Sequence, residues 1–417
     1  MMMRGNTRVF PITEEQVWSA YLEVRKHGKS AGVDDLTLKD YEADRSNQLY
    51  KVWNRMSSGS YIPPAVRRVE IPKSDGKKRK LGIPTVNDRV AQTVVKNYLE
   101  PQLEPIFHEN SFGYRPGKNA HEAVRQAAEQ SRKKAWVLDL DIEGFFDNLD
   151  HGLMMQALEK HTTERWVLLY IERWLKAPIE HKDGTLETPM KGSPQGGVIS
   201  PLLSNLYLHY AFDKWMSIHY SAIVFERYAD DIIVHCSSKS EAEHLLEAIA
   251  GRLKQCGLRL HPEKTKIVYC KNSIRRDKHG EVSYDFLGFR FKPRKAMNRR
   301  TGEIFTDFGP DSISRKSLRQ ILAVIRSKNL HRRVTDDLDV LSADLAAHLR
   351  GWINYFGRIK MQFMYPIATS INGRLLLWAR NRYKTLHGSQ WQSRQWLRGI
   401  SRDYPNMFEH WKYGFKP

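Results

Sequence analysis

Phe225–Cys236 reads FERYADDIIVHC: an apolar start, two adjacent aspartates at Asp230 and Asp231, and a second apolar run. Two strand-like runs meeting at a short polar pair predict a tight β-hairpin with carboxylates at its tip. Upstream, Trp136–Asp147 reads WVLDLDIEGFFD, a buried-strand pattern carrying Asp139 and Asp141. Those two acids alternate onto the same face, so spacing alone leaves open which of them meets the hairpin. Carboxylates from two strands aimed at one point make an oxygen-rich site suited to hard divalent cations. Adjacent acids are also common in ordinary turns, so the pair carries weight only together with the upstream strand.

Outward from these stretches, the 417 residues are enough for two or three domains, and 41% hydrophobic content with 11 Trp and 16 Phe can build cores. Residues 13–60 read as polar helices, opening with a capping box at Thr13–Gln16. GKSAGVDD at 28–35 reads as a loop, and residues 61–86 as a hairpin with a basic tip at Lys73–Lys80. Helices are expected at 87–110, 119–131, 150–160 and 163–176. The stretch 191–216, KGSPQGGVISPLLSNLYLHYAFDKWM, is a Gly/Pro loop entering an amphipathic helix. A helix at 239–256 follows the carboxylate hairpin, then strands within GLRLHPEKTKIVYC (257–270) and YDFLGFRFKP (284–293). From 311 onward the pattern is helical, with Leu318, Ile321, Leu322 and Ile325 at helical spacing. There is no internal repeat or low-complexity tract. The expected division is 1–60 as an N-terminal extension, 61–300 as an α/β part and 301–417 as a helical part.

Sixty-seven Lys and Arg against 47 Asp and Glu give a net charge of +20, with a pI near 9.7. Such a balance points to a phosphate-rich partner. Residues 311–417 hold 19 Lys and Arg against 7 Asp and Glu, and five of the 11 Trp. A basic helical part of this kind suits a nucleic-acid clamp, although solvated helix faces produce similar clusters. Three cysteines without C-x-x-C spacing exclude a disulfide framework and a zinc site, and fit a reducing cytosol. No apolar run reaches the length of a membrane span, and the first residues lack a signal-peptide core. His108, His151, His209, His235 and His261 are scattered without ligand spacing, and read as surface or packing residues. Paired carboxylates in a basic chain suggest phosphoryl transfer on nucleic acid, which needs metal ions and alignment more than covalent chemistry.

Tyr228-Ala229-Asp230-Asp231 resembles the hallmark tetrapeptide of reverse transcriptases. The order of blocks resembles the bacterial group II intron-encoded reverse transcriptases, also called maturases. Those blocks are Gly28–Asp35, Arg67–Pro84, Ser111–Gly117, Asp139–Asp150, Ser193–Gly197, the Tyr228 hairpin, Gly257–Ile267, Phe286–Phe289 and Leu349–Phe356, nearly the whole chain in sequence order. The resemblance implies an α/β (α+β) right-hand polymerase, with fingers and palm built from antiparallel sheet plus helices and an α-helical thumb or maturase domain. It selects Asp141 over Asp139, and makes Asp141, Asp230 and Asp231 the catalytic carboxylates. With the Ile142 carbonyl they would hold two Mg²⁺ ions.

The same resemblance implies that Arg67 and Lys73 grip the incoming triphosphate; Lys77, Lys78, Arg79 and Lys80 share that tip and are left unranked. Phe146 would lie against the sugar and exclude a 2′-OH, unless both Phe145 and Phe146 are core. Gln195 would touch the nucleotide or the templating pair, with Pro194 and Gly196 beside the nucleic acid. Lys264, with Lys266 as its rival, would assist the departing pyrophosphate. Arg115 would contact the template backbone or brace the fingers. Leu287 and Gly288, in the turn Phe286–Phe289, would hold the primer end. Trp352, Tyr355 and Trp378 read as thumb core before base-stacking platforms.

The implied partners are group II intron RNA, an RNA template with a DNA or RNA primer, dNTPs and target DNA, in a bacterial cytoplasm and with no membrane; oligomeric state stays open. The expected activity is copying RNA into DNA, together with assistance to intron splicing and retrohoming. Many relatives continue into an HNH-type endonuclease with paired cysteines. This chain runs to Pro417 without one, so second-strand priming is expected to come from elsewhere. Two alternatives stand beside this reading. One is a domesticated reverse transcriptase serving phage defence, CRISPR spacer capture or DNA repair. The other is an RNA-binding splicing factor with a dead polymerase site, which the intact Asp141, Asp230 and Asp231 oppose.

Overall fold

A computed structural model describes residues 9–26, 30–72, 78–298 and 300–417. The chain divides into two compact units, Met1–Ala123 with Lys134–Val268, and Val124–Lys133 with Tyr269–Pro417. The strands are, in chain order, β1 (Val66–Pro72), β2 (Lys78–Ile83), β3 (Trp136–Asp141), β4 (Ile179–Glu180), β5 (Leu186–Glu187), β6 (Val224–Tyr228), β7 (Asp231–Cys236), β8 (Lys266–Tyr269), β9 (Tyr284–Phe286), β10 (Phe289–Met297) and β11 (Ile304–Ile313).

The first unit holds a sheet of order β2-β1-β4-β5 and a sheet of order β6-β7-β3-β8. In the second of these, β6, β7 and β3 pair antiparallel, with Trp136 opposite Cys236 and Asp141 opposite Asp231. Leu138, Leu140, Ile232, Val234 and Phe225 are all buried, so the face opposite the aspartates is an apolar core. The neighbouring helices have clear starting signals: Thr85 caps Val86–Leu103, and Asp150 caps His151–Glu159. Helix Ser200–Leu208 widens into a π-helical turn at His209–Asp213 before continuing as Lys214–His219.

Residues 1–60, expected as an N-terminal extension, fall in the first unit. Their helices Glu14–Lys26 and Arg45–Ser57 bury Val17, Tyr21, Val52, Trp53 and Met56 within the first unit. Cross-links include Asn97 to Glu23 at 2.6 Å and the Tyr170 hydroxyl to the Met56 carbonyl at 2.6 Å. The capping box at Thr13 and Gln16 forms in both directions, at 2.9 and 3.2 Å.

The second unit begins earlier than the sequence suggests. Its sheet of order β11-β10-β9 occupies residues that the pattern assigns partly to the α/β part and partly to helix. Gly309 and Pro310 disguise β11; the strand tolerates the proline because it lies at an edge and because the register slips between Arg290 and Phe291. Val124–Lys133 joins this unit through Arg132 on Asp307 at 3.1 Å and Ser131 on the Tyr284 hydroxyl at 2.9 Å. Four longer helices follow, Arg315–Ser327, Leu338–Trp352, Tyr365–Arg382 and Gln390–Asp403. Trp378 is core at 1% exposure and donates its indole N–H to the Arg333 carbonyl. Trp352 and Tyr355 are only partly buried. The three cysteines are free and buried, and among the described residues no helix is long and apolar enough to cross a membrane.

Candidate active site

The two-residue turn between β6 and β7 sets the geometry. Tyr228 pairs with Asp231, leaving Ala229 and Asp230 as the central residues. Ala229 has φ of 55° while Asp230 stays at negative φ, the dihedral signature of a type II′ hairpin. Asp141, the last residue of β3, lies directly opposite Asp231. The Asp141 carbonyl turns to the other side and accepts from the His261 amide at 2.7 Å. Asp141 and Asp231 are therefore a non-hydrogen-bonded pair, the class whose side chains approach most closely, with Cα atoms typically ~4.5 Å apart. Asp139 lies on the same face, two residues deeper and opposite Ile233. The structure thus brings Asp141, Asp230 and Asp231 to one end of the sheet and leaves Asp139 behind.

Ile142 bridges Leu260, flanked by bonds from Glu143 N–H to Arg259 and from His261 N–H to Asp141. In that pattern the Ile142 carbonyl points away from the Leu260 segment, toward the side where the Asp230–Asp231 turn stands. The same pairing delivers Lys264, whose ammonium lies 3.1 and 3.3 Å from the two carboxylate oxygens of Asp141. Lys266, its rival, lies within β8.

Burial lifts the pKa of Asp230 above the usual carboxylate range, and the charge of Asp141 adds to the lift. Arg79 and Lys264 oppose it. Arg79, in β2 at the basic hairpin, is thus a cation whose field reaches Asp230. Lys78 is engaged with Glu70 at 2.6 Å. Lys73 and Lys77 lie outside the described residues. Arg67 shares a hairpin face with Arg79, since it pairs with Ile83 and Arg79 with Ile71. It is held by Asp35 at 2.7 Å.

Phe146 and Gln195 line one cavity of about 400 Å³, together with Pro194, Arg68, Lys80 and Lys191. Arg67 is not among its lining residues; strand alternation turns Arg68 to this side instead. Phe145 is core at 2% exposure, so the two phenylalanines separate. The Gly/Pro loop docks on β2: Gly82 N–H donates to the Gln195 carbonyl at 2.7 Å, and Gly196, at φ 120°, sits so close that a Cβ there would lie 2.5 Å from the Gly82 oxygen. The close approach that these glycines permit is therefore made to the protein's own strand.

Arg115 is braced rather than free. Its side chain is 6% exposed, pairs with Glu104 at 2.7 Å, and donates to the carbonyls of His108 and Ser111. All three guanidinium nitrogens are engaged. Of the two roles implied for it, these bonds are those of a brace. In the second unit, Leu287 (φ 48°) and Gly288 (φ 81°) are the two central residues of the β9–β10 turn. The Tyr355 hydroxyl holds that turn by donating to the Leu287 carbonyl at 2.8 Å.

One group escaped the sequence reading. Arg227, fully buried, forms a two-pronged ion pair with Asp213 at 2.7 and 2.6 Å. Its third nitrogen donates to Asn205 at 3.1 Å and to the Ala229 carbonyl at 3.2 Å. Asn205 in turn donates to the Gly113 carbonyl at 2.8 Å. Gly113 packs so tightly on the turn that a Cβ would lie 2.4 Å from the Ala229 nitrogen. The π-helical turn His209–Asp213 carries Asp213 into this brace. The signal available in the sequence was an arginine inside an apolar strand, which demands a buried partner.

Among the described residues, no group of three or more His, Cys, Asp or Glu side chains is gathered closely enough to hold a metal ion. The donor chemistry nonetheless fits a hard cation: three carboxylates stand at one end of the sheet, one of them half-buried and repelled by its neighbour, and an ammonium already supplies counter-charge.

Comparison with known proteins identifies the family. Residues 71–291 match the reverse transcriptase (RNA-dependent DNA polymerase) family, and residues 318–397 match the group II intron maturase-specific domain. Protein YkfC of Escherichia coli is 31% identical over 304 residues, covering 62% of this chain and 79% of that protein. The group II intron-encoded protein LtrA of Lactococcus lactis subsp. cremoris is 34% identical over 197 residues, 46% of this chain and 31% of LtrA. The chain thus spans less than a third of LtrA. With carboxylates, hairpin and helical second unit in place, the chain belongs to the reverse transcriptases of the group II intron maturase type.

Proposed function

We propose that this reverse transcriptase copies RNA into DNA by two-metal phosphoryl transfer, with Asp141, Asp230 and Asp231 as the metal-binding carboxylates. The observation that supports this most is the pairing of Asp141 with Asp231 beside the Asp230 turn, at one open end of a rigid sheet. Mg²⁺, when bound, would neutralise charge on the attacking and leaving oxygens. The Ile142 carbonyl is directed to the same side and would complete the oxygen set.

Around that centre the chain's own groups would position the reactants. Phe146 would bear on the sugar and Gln195 on the base or the templating pair, since they share a cavity. Arg67 and Lys73 would grip the triphosphate, while Arg68 and Lys80 give the cavity shared by Phe146 and Gln195 its positive charge. Lys264 would leave Asp141 to meet the departing pyrophosphate as point charge or proton donor. The turn at Leu287 and Gly288 would hold the primer end.

Intron RNA is the proposed cognate RNA. The maturase-specific match and the excess of basic residues in 311–417 support binding to structured RNA by counter-charge and shape. Assistance to splicing and retrohoming would follow from that binding. Primer extension on an RNA template with dNTPs and Mg²⁺ tests the reading. The wild-type chain should extend the primer and the Asp230→Ala variant should not. Equal, negligible extension by both would favour an RNA-binding splicing factor.

A further inference from the structure

Tyr114 stands out within Ser111–Gly117. It has φ of 56°, a left-handed conformation that bulky side chains rarely adopt, yet the residue is 54% exposed. Burial therefore does not account for it. Conformation alone does not account for it either, because glycine or asparagine would fit such a backbone better. The segment around it is fixed on every side. Arg115 ties it to Glu104 and two carbonyls, Phe112 N–H donates to the Arg227 carbonyl at 2.8 Å, and Gly113 is wedged against Ala229. A strained residue held by over-determined surroundings is a mark of a functional site.

The ring stands beside the carboxylate turn. Its centroid lies 6.2 Å from that of Tyr228, which is cross-strand to Asp231 and so on the carboxylate face. Burial and then the charge of Asp230 raise the phenol's pKa, so it stays a protonated donor. Tyr228 is itself half-buried, and the two rings are tilted by 47° to one another.

We infer that Tyr114 contacts substrate, forming with Tyr228 a two-ring platform for the terminal base of the growing strand. The inference rests on the polymerase reading above: the strand's 3′ oxygen must stand at the carboxylates, so its own base lies within one nucleotide's reach of them. Stacking on an aromatic ring is sequence-tolerant, as a polymerase requires, because every base has a π-face.

The test uses the full chain and an RNA template–DNA primer duplex carrying 2-aminopurine at the primer 3′ end, without dNTPs. Tyr114→Phe and Tyr114→Trp should preserve the fluorescence change on binding. Tyr114→Asn and Tyr114→Gly, which suit the left-handed backbone and so should not lower the melting temperature, should abolish it. They should also weaken duplex binding roughly tenfold, the scale of one lost stacking contact. Wild-type-like fluorescence and affinity in the Asn and Gly variants would overturn the inference, leaving the ring a conformational role only. Extension by the wild-type chain on the same duplex, once dNTPs are added, tests the polymerase reading separately.

Discussion

Phe145 and Phe146 are neighbours in sequence with opposite surroundings: the first is core, the second lines the cavity shared with Gln195. Phe146→Ala should therefore relax discrimination against ribonucleotides by roughly 10- to 100-fold, read as the ratio of kcat/KM for dNTP and rNTP. An unchanged ratio would return Phe146 to a packing role. Asp230 carries a second expectation. Its pKa is raised, chiefly by burial, so its protonated form is the one the fold prefers. The stability this carboxyl contributes is present below its unfolded pKa and is lost as pH rises through the higher folded value. Asp230→Asn should thus raise the melting temperature by a few degrees at neutral pH, with a gain that shrinks on acidification, while abolishing synthesis. No gain at neutral pH would mean that the carboxyl is well solvated. The placing of Asp230 and Asp231 at a hairpin turn was legible in sequence because that pattern is local. The choice between Asp139 and Asp141 was not, since only the cross-strand register separates them.

At the scale of elements, the hairpin turn depends on what lies behind it. Gly113 leaves no room for a methyl group against the Ala229 nitrogen. Gly113→Ala should shift the turn by a fraction of an ångström and lower kcat by ~100-fold, because small misplacements of reacting groups are costly. Melting temperature should fall by only a few degrees. A variant with normal kcat would show that the turn is not set by this contact. Several helices were readable from their patterns, and the capping box at Thr13–Gln16 forms as its sequence indicates. The two-residue strands β4 and β5 carry too few residues for any pattern, and β11 hides behind Gly309 and Pro310. The π-helical turn at His209–Asp213 has no local signature, because its reason is a partner, Arg227, that arrives later in the chain.

For the molecule as a whole, the charge of +20 sets an expectation about RNA. Affinity for structured RNA should fall by on the order of 100- to 1000-fold between 50 and 200 mM salt, measured by filter binding or anisotropy. A flat response would mean that the basic surface is not the contact. The division into units was only partly legible. Residues 13–60 look polar enough for an appendage, and their burial against Val86–Leu103 depends on tertiary contacts such as Asn97 with Glu23. Val124–Lys133 reads as one more helix of its neighbourhood, and its allegiance to the other unit is fixed by Arg132 and Asp307, far apart in sequence. The ion pair of Arg227 with Asp213, wholly shielded from water, has a thermal corollary. A clamp so deep cannot loosen while its surroundings stay intact, so warming should leave no folded but idle enzyme. Catalytic half-life and the circular-dichroism transition are expected to vanish over the same few degrees, and inactivation well ahead of unfolding would place the weak point elsewhere.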